Sequence, residues 1–463
     1  MAMVTTRKLL QDVQKKITPT AKERAKQAKV AETVLEKIKK SSGKHVDAIL
    51  CGSNARDTHL RGDNDLDIFV LFPEKLSRPE FEKEGLRIGK LVFRGHKWEK
   101  AFSEHPYVRG QIDGFDVEIV PSYKVSKAEL KQSSVDRSPF HNQYLKKRLK
   151  AKKKVEARLL RQFLKGIRAY GADTKASSVP GYVVELLILE YGSFMKAIKA
   201  VSDWKQGQVI DVENHWKKGE AKRLFKDSAL VVIDPVDKNR NVAAALSLNQ
   251  FSRIVAAARA FLKKPGKRFF FPGREKPWPV KKVRKVLEKK ELVAVKLGFP
   301  KKVLPDIIWG QIQRFARKAE KQLVLNGFRA LRSEAWTNEK NLIVLVFEVE
   351  ARILQKSMVK FGPFVTDEKN SKAFLAAHPK RIAGPRIEEG RWVIEIARKH
   401  TRIEKFLQDF LKKEKGKEKE GMRKAINKGS SILQEENLIK LFGKNREFAE
   451  FLTHYLKGEE EFL

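Results

Sequence analysis

Two aspartates one residue apart, Asp65 and Asp67, stand directly before an apolar run in "GDNDLDIFVLF". In a strand, residues i and i+2 point to the same face. Asp65 and Asp67 therefore project together, while Leu66 and Ile68 face the opposite way, into a core. Two carboxylates that close repel, and one is pushed towards protonation. A divalent cation removes the conflict. Magnesium suits such hard oxygen donors, taking one or two carboxylates and completing its shell with water and phosphate oxygens. A further carboxylate is available in "FDVEIVP", where Asp116 and Glu118 share one face and Val117 and Ile119 the other. Three carboxylates on adjacent strands can hold two metals roughly 3.5–4 Å apart, the arrangement for in-line phosphoryl or nucleotidyl displacement. One metal would activate an attacking hydroxyl. The other would hold a triphosphate and stabilise departing pyrophosphate. Upstream, "GSNARDT" offers the phosphate end. Gly52 lets the backbone approach a ligand closely, Ser53 and the N–H groups after it suit a triphosphate at a helix N-terminus, and Arg56 adds charge.

Positioning these residues requires a mixed unit. "HVDAILCGS" reads as a short strand, "DLDIFVLF" as a second strand ended by Pro73, and "RPEFEKEGLRIGKLVF" as a helix. "QIDGFDVEIVPSY" reads as a hairpin-like strand ended by Pro121. Before them, residues 5–42 carry apolar positions at helical spacing, with Thr18 or Thr20 as a helix start. From about Leu145 the chain turns helical and basic, and "SSVPGYVVELLILEYGSFMKAI" gives a Pro-Gly start to a strongly apolar helix. "ALVVIDPVDKNRNVAAALSLNQFSRIVAAARAFL" reads as strand, turn and long helix, with Asp237–Asn241 as the polar turn. The Pro-, Gly- and Lys-rich stretch Lys263–Val280 marks a boundary. Beyond it, "NLIVLVFEVEA" and "RWVIEIAR" read as partly alternating strands of a sheet backed by helices.

The chain has 463 residues, of which 41% are hydrophobic, enough for several cores. Against 57 Asp and Glu stand 98 Lys and Arg, a formal net charge of +41. Charge of that size is balanced by a polyanion through phosphate contacts and counterion release. A membrane partner is disfavoured, since no segment reaches the ~20 apolar residues of a span and no lipidation signal is present. The single cysteine, Cys51, excludes an internal disulfide, and the nine scattered histidines show no zinc spacing. These features lead us to expect a soluble, cytoplasmic protein.

The motif Gly-Ser, spacer, Asp-x-Asp between hydrophobic residues resembles the polymerase-β-type nucleotidyltransferase superfamily. The ordered series "GSNARDT…DNDLDIFVLFPE", "EHPYVRG", "VEIVPSY", "SSVDRSPFHNQYL", "RLLRQFLKGIRAYGAD", "GYVVELLILEYGSF" and "VIDPVDKNRNVAAALS" narrows the likeness. It is similar to the archaeal, class I CCA-adding enzymes, which are tRNA nucleotidyltransferases. The similarity runs from about residue 5 to 265, and the remainder fits the family's body and tail only loosely. The resemblance implies an α+β multidomain fold: a nucleotidyltransferase head at 1–144, a mostly helical neck at 145–265, and an α/β body and tail that bind RNA at 266–463. It implies Asp65, Asp67 and Glu118 as catalytic metal ligands for two Mg²⁺ ions. The family usually has Asp at the third position, so Glu118 is a departure and Asp116 the fallback. It further implies that Ser53, Arg56, His141, Arg161 and Tyr170 bind the incoming nucleotide. Arg161 stands where the family has a lysine, and Lys165, one helical turn on, shares its face. Arg240 matches the arginine that reads the base.

The implied reaction is template-independent addition of C, C and A to tRNA from CTP and ATP, with pyrophosphate released. The implied partner surfaces are the acceptor stem and T arm of tRNA, held by shape and backbone, and homodimerisation is left open. Two alternatives share the carboxylates. One is another superfamily RNA nucleotidyltransferase, such as a poly(A) polymerase. The other is a catalytically inactive RNA-binding relative.

Overall fold

The computed structural model describes residues 2–43, 45–102, 104–128, 132–171, 177–273, 276–301, 303 and 305–463. Two units emerge, Met1–Gly273 with Glu460–Leu463, and Arg274–Glu459. The multidomain α+β class expected from the sequence is observed. Among the described residues no helix is long and apolar enough to cross a membrane.

The first unit opens with helices α1 (Ala2–Ile17) and α2 (Ala21–Ser41). The second starts at Thr20, whose hydroxyl accepts from the Glu23 N–H while Glu23 caps the Thr20 N–H in return. A five-stranded sheet follows, built from β1 (Asp47–Leu50), β2 (Asp65–Phe72), β3 (Trp98–Phe102), β4 (Pro106–Ile112) and β5 (Phe115–Tyr123) in the order β1-β2-β5-β4-β3. One helical turn, α3 (Gly52–Ala55), lies between β1 and β2, and α4 (Arg78–Val92) lies between β2 and β3. β4 and β5 form a hairpin whose Asp-Gly turn has positive φ at both residues, 51° at Asp113 and 83° at Gly114, as a tight hairpin demands. β2 and β5 are parallel, so the chain between them must cross over, and α4 makes that crossing on the apolar face. Leu66, Ile68, Val117 and Ile119 are fully buried in that core. Pro121 does not end β5, as the sequence suggests. It lies inside the strand but past Val108–Ile119, the last pair with β4, so its missing N–H costs that ladder nothing.

The helical layer of this unit comprises α5 (Ser138–Arg148), α6 (Ala151–Gly166), α7 (Gly181–Tyr191), α8 (Phe194–Ser202) and α10 (Leu248–Lys263), with a short α9 (Glu220–Leu224). Its core takes in Val13 and Ile17 of α1 together with Phe163, Phe194 and Phe261. A small sheet, β6 (Gln208–Ile210), β7 (Leu230–Asp234) and β8 (Asp237–Asn241), completes it. The expected polar turn at Asp237–Asn241 is therefore strand β8, folded back on β7. Its backbone pairing is what a polar sequence alone conceals.

In the second unit an antiparallel sheet runs β10 (Ala330–Thr337), β11 (Leu342–Val349), β9 (Glu291–Gly298), β15 (Ser430–Leu433). Central β11 is buried on both faces. Ile343, Leu345 and Phe347 enter one core, and Leu342, Val344 and Val346 the other. That explains a near-continuous apolar run where a one-sided strand would alternate. A second sheet, β12 (Ser357–Phe364), β14 (Arg391–Ala397), β13 (Ala383–Glu388), carries helix Glu368–Ala376.

Candidate active site

Parallel pairing of β2 and β5 sets Asp65 beside Asp116 and Asp67 beside Glu118. All four carboxylates thus rise on the face opposite the core. Burial, joined by Asp63 and Asp116, raises the Asp65 pKa. Burial, joined by Asp65, raises that of Asp67. Burial and then Asp67 push Glu118 up to about 7, although Arg109 and the Tyr107 hydroxyl, 3.4 Å away, oppose this. Among the described residues, no group of three or more His, Cys, Asp or Glu is gathered to hold a metal ion. The carboxylates form a row along two strands, not a closed cage. The donor set nonetheless fits a hard divalent cation. The oxygens are crowded, and burial with mutual repulsion makes ionisation of Asp65, Asp67 and Glu118 harder, a conflict that a bound cation relieves.

The α3 turn is pressed against this row. The Cys51 N–H donates to the Asp67 carbonyl at 2.8 Å, and Asn54 donates to the Asp65 carbonyl. Gly52 has φ +70°, and a Cβ there would come within 1.9 Å of Asp67 Oδ2. Only glycine serves at that place, for both conformation and space. Ser53 follows it into a cavity of about 610 Å³ that Asp65, Asp67 and Glu118 also line.

Arg56, Arg161, Lys165 and Tyr170 complete the cavity wall. Arg56 is buried, and its guanidinium is held bidentately by Glu185, Nε to Oε1 at 3.1 Å and Nη2 to Oε2 at 2.8 Å. Burial works against its charge, but Glu185 outweighs burial and raises the Arg56 pKa. Thr58 also donates to Glu185, and Arg161 Nη2 lies 3.9 Å from the same carboxylate. Arg161 Nε is buried without a hydrogen-bond partner. The Tyr170 ring is flanked by two cations, Arg161 at 5.6 Å and Lys165 at 5.5 Å, and Lys165 Nζ reaches Asp63 at 2.8 Å. The face shared by Arg161 and Lys165 is thus turned to the cavity.

His141 and Arg240 gather around a different carboxylate, the fully buried Asp234 at the end of β7. Arg240 Nη1 donates to Asp234 Oδ2 at 2.9 Å, and His141 Nε2 lies 2.8 Å from the same oxygen. The Tyr182 hydroxyl donates to Oδ1 at 3.3 Å, and the Tyr182 ring stacks on His141 at 4.1 Å. Burial lowers the His141 pKa against the pull of Asp234. A neutral ring must therefore carry its proton on Nε2 to donate to that carboxylate. Burial would raise Asp234, but His141 and then Arg240 overcome it, and its pKa is lowered. The buried Arg137–Asp237 pair, 2.8 Å, pins the start of β8, the strand that carries Arg240. The two clusters adjoin. Arg56 Nη1 donates to Asn142, beside His141, at 3.5 Å, and Tyr182 and Glu185 stand one turn apart on α7.

Every residue singled out from the sequence therefore lies in one cavity wall or in the Asp234 cluster. Glu185, Asp234, Thr58 and Tyr182 were not singled out. A signal existed for two of them: Glu185 is a lone acid inside "GYVVELLILEY", and Asp234 closes the apolar run "ALVVID".

Comparison with known families gives three matches in order along the chain. The model of the nucleotidyltransferase domain matches residues 31–141. That of the second domain of tRNA nucleotidyltransferase matches 155–271, and that of the C-terminal domain of the CCA-adding enzyme matches 288–435. The CCA-adding enzyme of Methanosarcina mazei is 32% identical over 96% of this chain and 97% of its own. That of Archaeoglobus fulgidus is 37% identical over 79% of this chain and 81% of its own. That of Methanocaldococcus jannaschii is 35% identical over 82% and 86%. The likeness thus extends through the C-terminal region, where the motifs read from the sequence were loose.

Proposed function

Since the chain belongs to the archaeal CCA-adding enzymes, and so is a tRNA nucleotidyltransferase, we propose that it adds C, C and A in turn to the tRNA 3′ end, from CTP and ATP. The observation that carries this reading is the parallel register of Asp65 and Asp67 with Asp116 and Glu118 beside a cavity walled by Ser53, Arg161, Lys165 and Tyr170. Asp65, Asp67 and Glu118 would hold divalent ions, with Mg²⁺ the cation best suited. When bound, such ions neutralise the triphosphate and lower the pKa of the attacking hydroxyl.

The chain's own part is binding and orientation. Arg161, Lys165 and the N–H groups after Gly52 receive the triphosphate. Glu185 keeps Arg56 and Arg161 fixed, so their charge is in place before substrate arrives. Asp234 holds Arg240 and His141 at the base end. The tRNA 3′-oxygen then bonds to the α-phosphorus, and the α-phosphorus–bridging-oxygen bond breaks. Pyrophosphate leaves with the electron pair, and the hydroxyl proton passes to a carboxylate of the row. The basic excess holds the acceptor stem and T arm through backbone and A-form shape.

The test uses purified protein, Mg²⁺ and tRNA ending before CCA, after C and after CC. Each acceptor is offered CTP, ATP, GTP or UTP, and products are sized to one nucleotide. C should join the first two acceptors and A only the third. Unlimited A addition, or tRNA binding without addition, would overturn the reading.

A further inference from the structure

Helix α6 turns Arg161 and Lys165 to the cavity, and its back is pressed against the short turn Lys267–Phe269 and the residue after it. Gln162 Nε2 donates to the Phe270 carbonyl at 2.6 Å, and the Phe163 ring lies 5.9 Å from those of Phe269 and Phe270. A Cβ at Gly166 would come within 2.1 Å of the Phe269 carbonyl oxygen. Packing this close ties the placement of α6 to the placement of Phe269. Just past the end of α6, Arg168 takes φ +57°, and the turn it makes brings Tyr170 back beside Arg161 and Lys165. Glycine is the usual residue for a left-handed helix end, so an arginine there needs holding.

The chain leaves this unit at Gly273 and rejoins it at Glu460. The returning residues dock on both features. Phe462, 3% exposed, lays its ring on Phe269 with centroids 6.2 Å apart, and its carbonyl accepts from Arg268 Nε at 3.2 Å. Glu461 accepts from Arg168 Nη2. Glu460 is fixed by Arg253 of α10 through both oxygens, at 2.9 and 3.0 Å. We propose that Glu460–Phe462 is a brace for the triphosphate wall, with Glu461 and Phe462 as positioning residues for the incoming nucleotide. Phe462 backs Phe269 against α6, and Glu461 holds the Arg168 turn that aims Tyr170. Both stand behind the wall and act through it. Cations and a ring that are already in place need no reordering when the ligand arrives, which strengthens binding. The assignment rests on the proposed function, in which the ligand of this wall is a triphosphate.

The test measures KM for CTP and ATP, Kd for tRNA, and Kd for tripolyphosphate by calorimetry without turnover, in the full chain. Phe462→Ala should raise nucleotide KM and tripolyphosphate Kd roughly tenfold, with tRNA Kd kept, and Phe462→Leu should recover most of the loss. Glu461→Gln and Arg168→Gln should each raise tripolyphosphate Kd about threefold, and the double variant no more than either alone, because all three remove one contact. The sign at Glu461 is decisive. Taking away a negative charge would, by Coulomb attraction alone, tighten a polyanion, so weaker binding reports lost position. A merely structural role would lower stability in urea and leave tripolyphosphate Kd unmoved. Unchanged or tighter tripolyphosphate binding in Glu461→Gln, or additive effects in the double variant, would overturn the brace, and these two readouts decide even where Phe462→Ala does not fold. Failure of the unaltered chain to add nucleotides would strike the proposed function instead, while tripolyphosphate Kd would still judge the brace.

Discussion

The carboxylate row on β2 and β5 and the single carboxylate of Asp234 lie in the same unit and obey opposite electrostatics. In the row, like charges share register positions, and burial with mutual repulsion raises Asp65, Asp67 and Glu118. Around Asp234 the arrangement is closed: Arg240, His141 and Tyr182 all converge on it, and its pKa is lowered despite burial. The difference separates two uses of a buried acid. One set is left short of positive charge, which is what the proposed divalent ions would supply. The other is satisfied within the protein and serves to fix its neighbours.

Three substitutions would break or sharpen this contrast. Asp67→Asn should have the largest effect, lowering nucleotide addition on the order of 10³-fold or more. The folded state should be no less stable in metal-free urea titrations, since the substitution relieves repulsion, and tRNA Kd should hold. A stability loss there would show that Asp67 is a paired structural acid like Asp234. Asp234→Ala should do the reverse. Removing the acceptor common to Arg240 and His141 should cost about 3 kcal/mol in the same titration and loosen the choice between CTP and ATP, with triphosphate affinity kept. Unaltered stability and selectivity would mean that Asp234 does not anchor the base end. Tyr182→Phe removes one neutral donor while keeping the ring on His141, so the expected cost is only ~1 kcal/mol. A larger loss would show that the cluster behaves as one network, in which each bond depends on the others.

Much of this was legible in the chain because it is local. The alternation in "DLDIFVLF" and "FDVEIVP" fixes which carboxylates share a face, since strand geometry repeats every second residue whatever surrounds it. The Asp-Gly turn and the Pro-Gly start of α7 are likewise written in the φ each residue favours. Backbone pairing was less legible. Pro121 looked like a strand end and proved an internal residue, and Asp237–Asn241 looked like a turn and proved a strand. Whether those segments pair depends on partners elsewhere in the chain.

The sequence by itself determined the chemistry available: paired acids, a glycine-serine turn and a helix face carrying Arg161 and Lys165. Only the tertiary structure decided their partners. It set Glu118 rather than Asp116 beside Asp67 through the register of β2 on β5. It gave Arg56 to Glu185, 129 residues away, and gathered Arg240 with His141 on Asp234. The reason is physical. Side-chain direction follows from backbone sterics within a few residues, whereas the neutralisation of a buried charge depends on which distant groups packing brings within hydrogen-bonding reach.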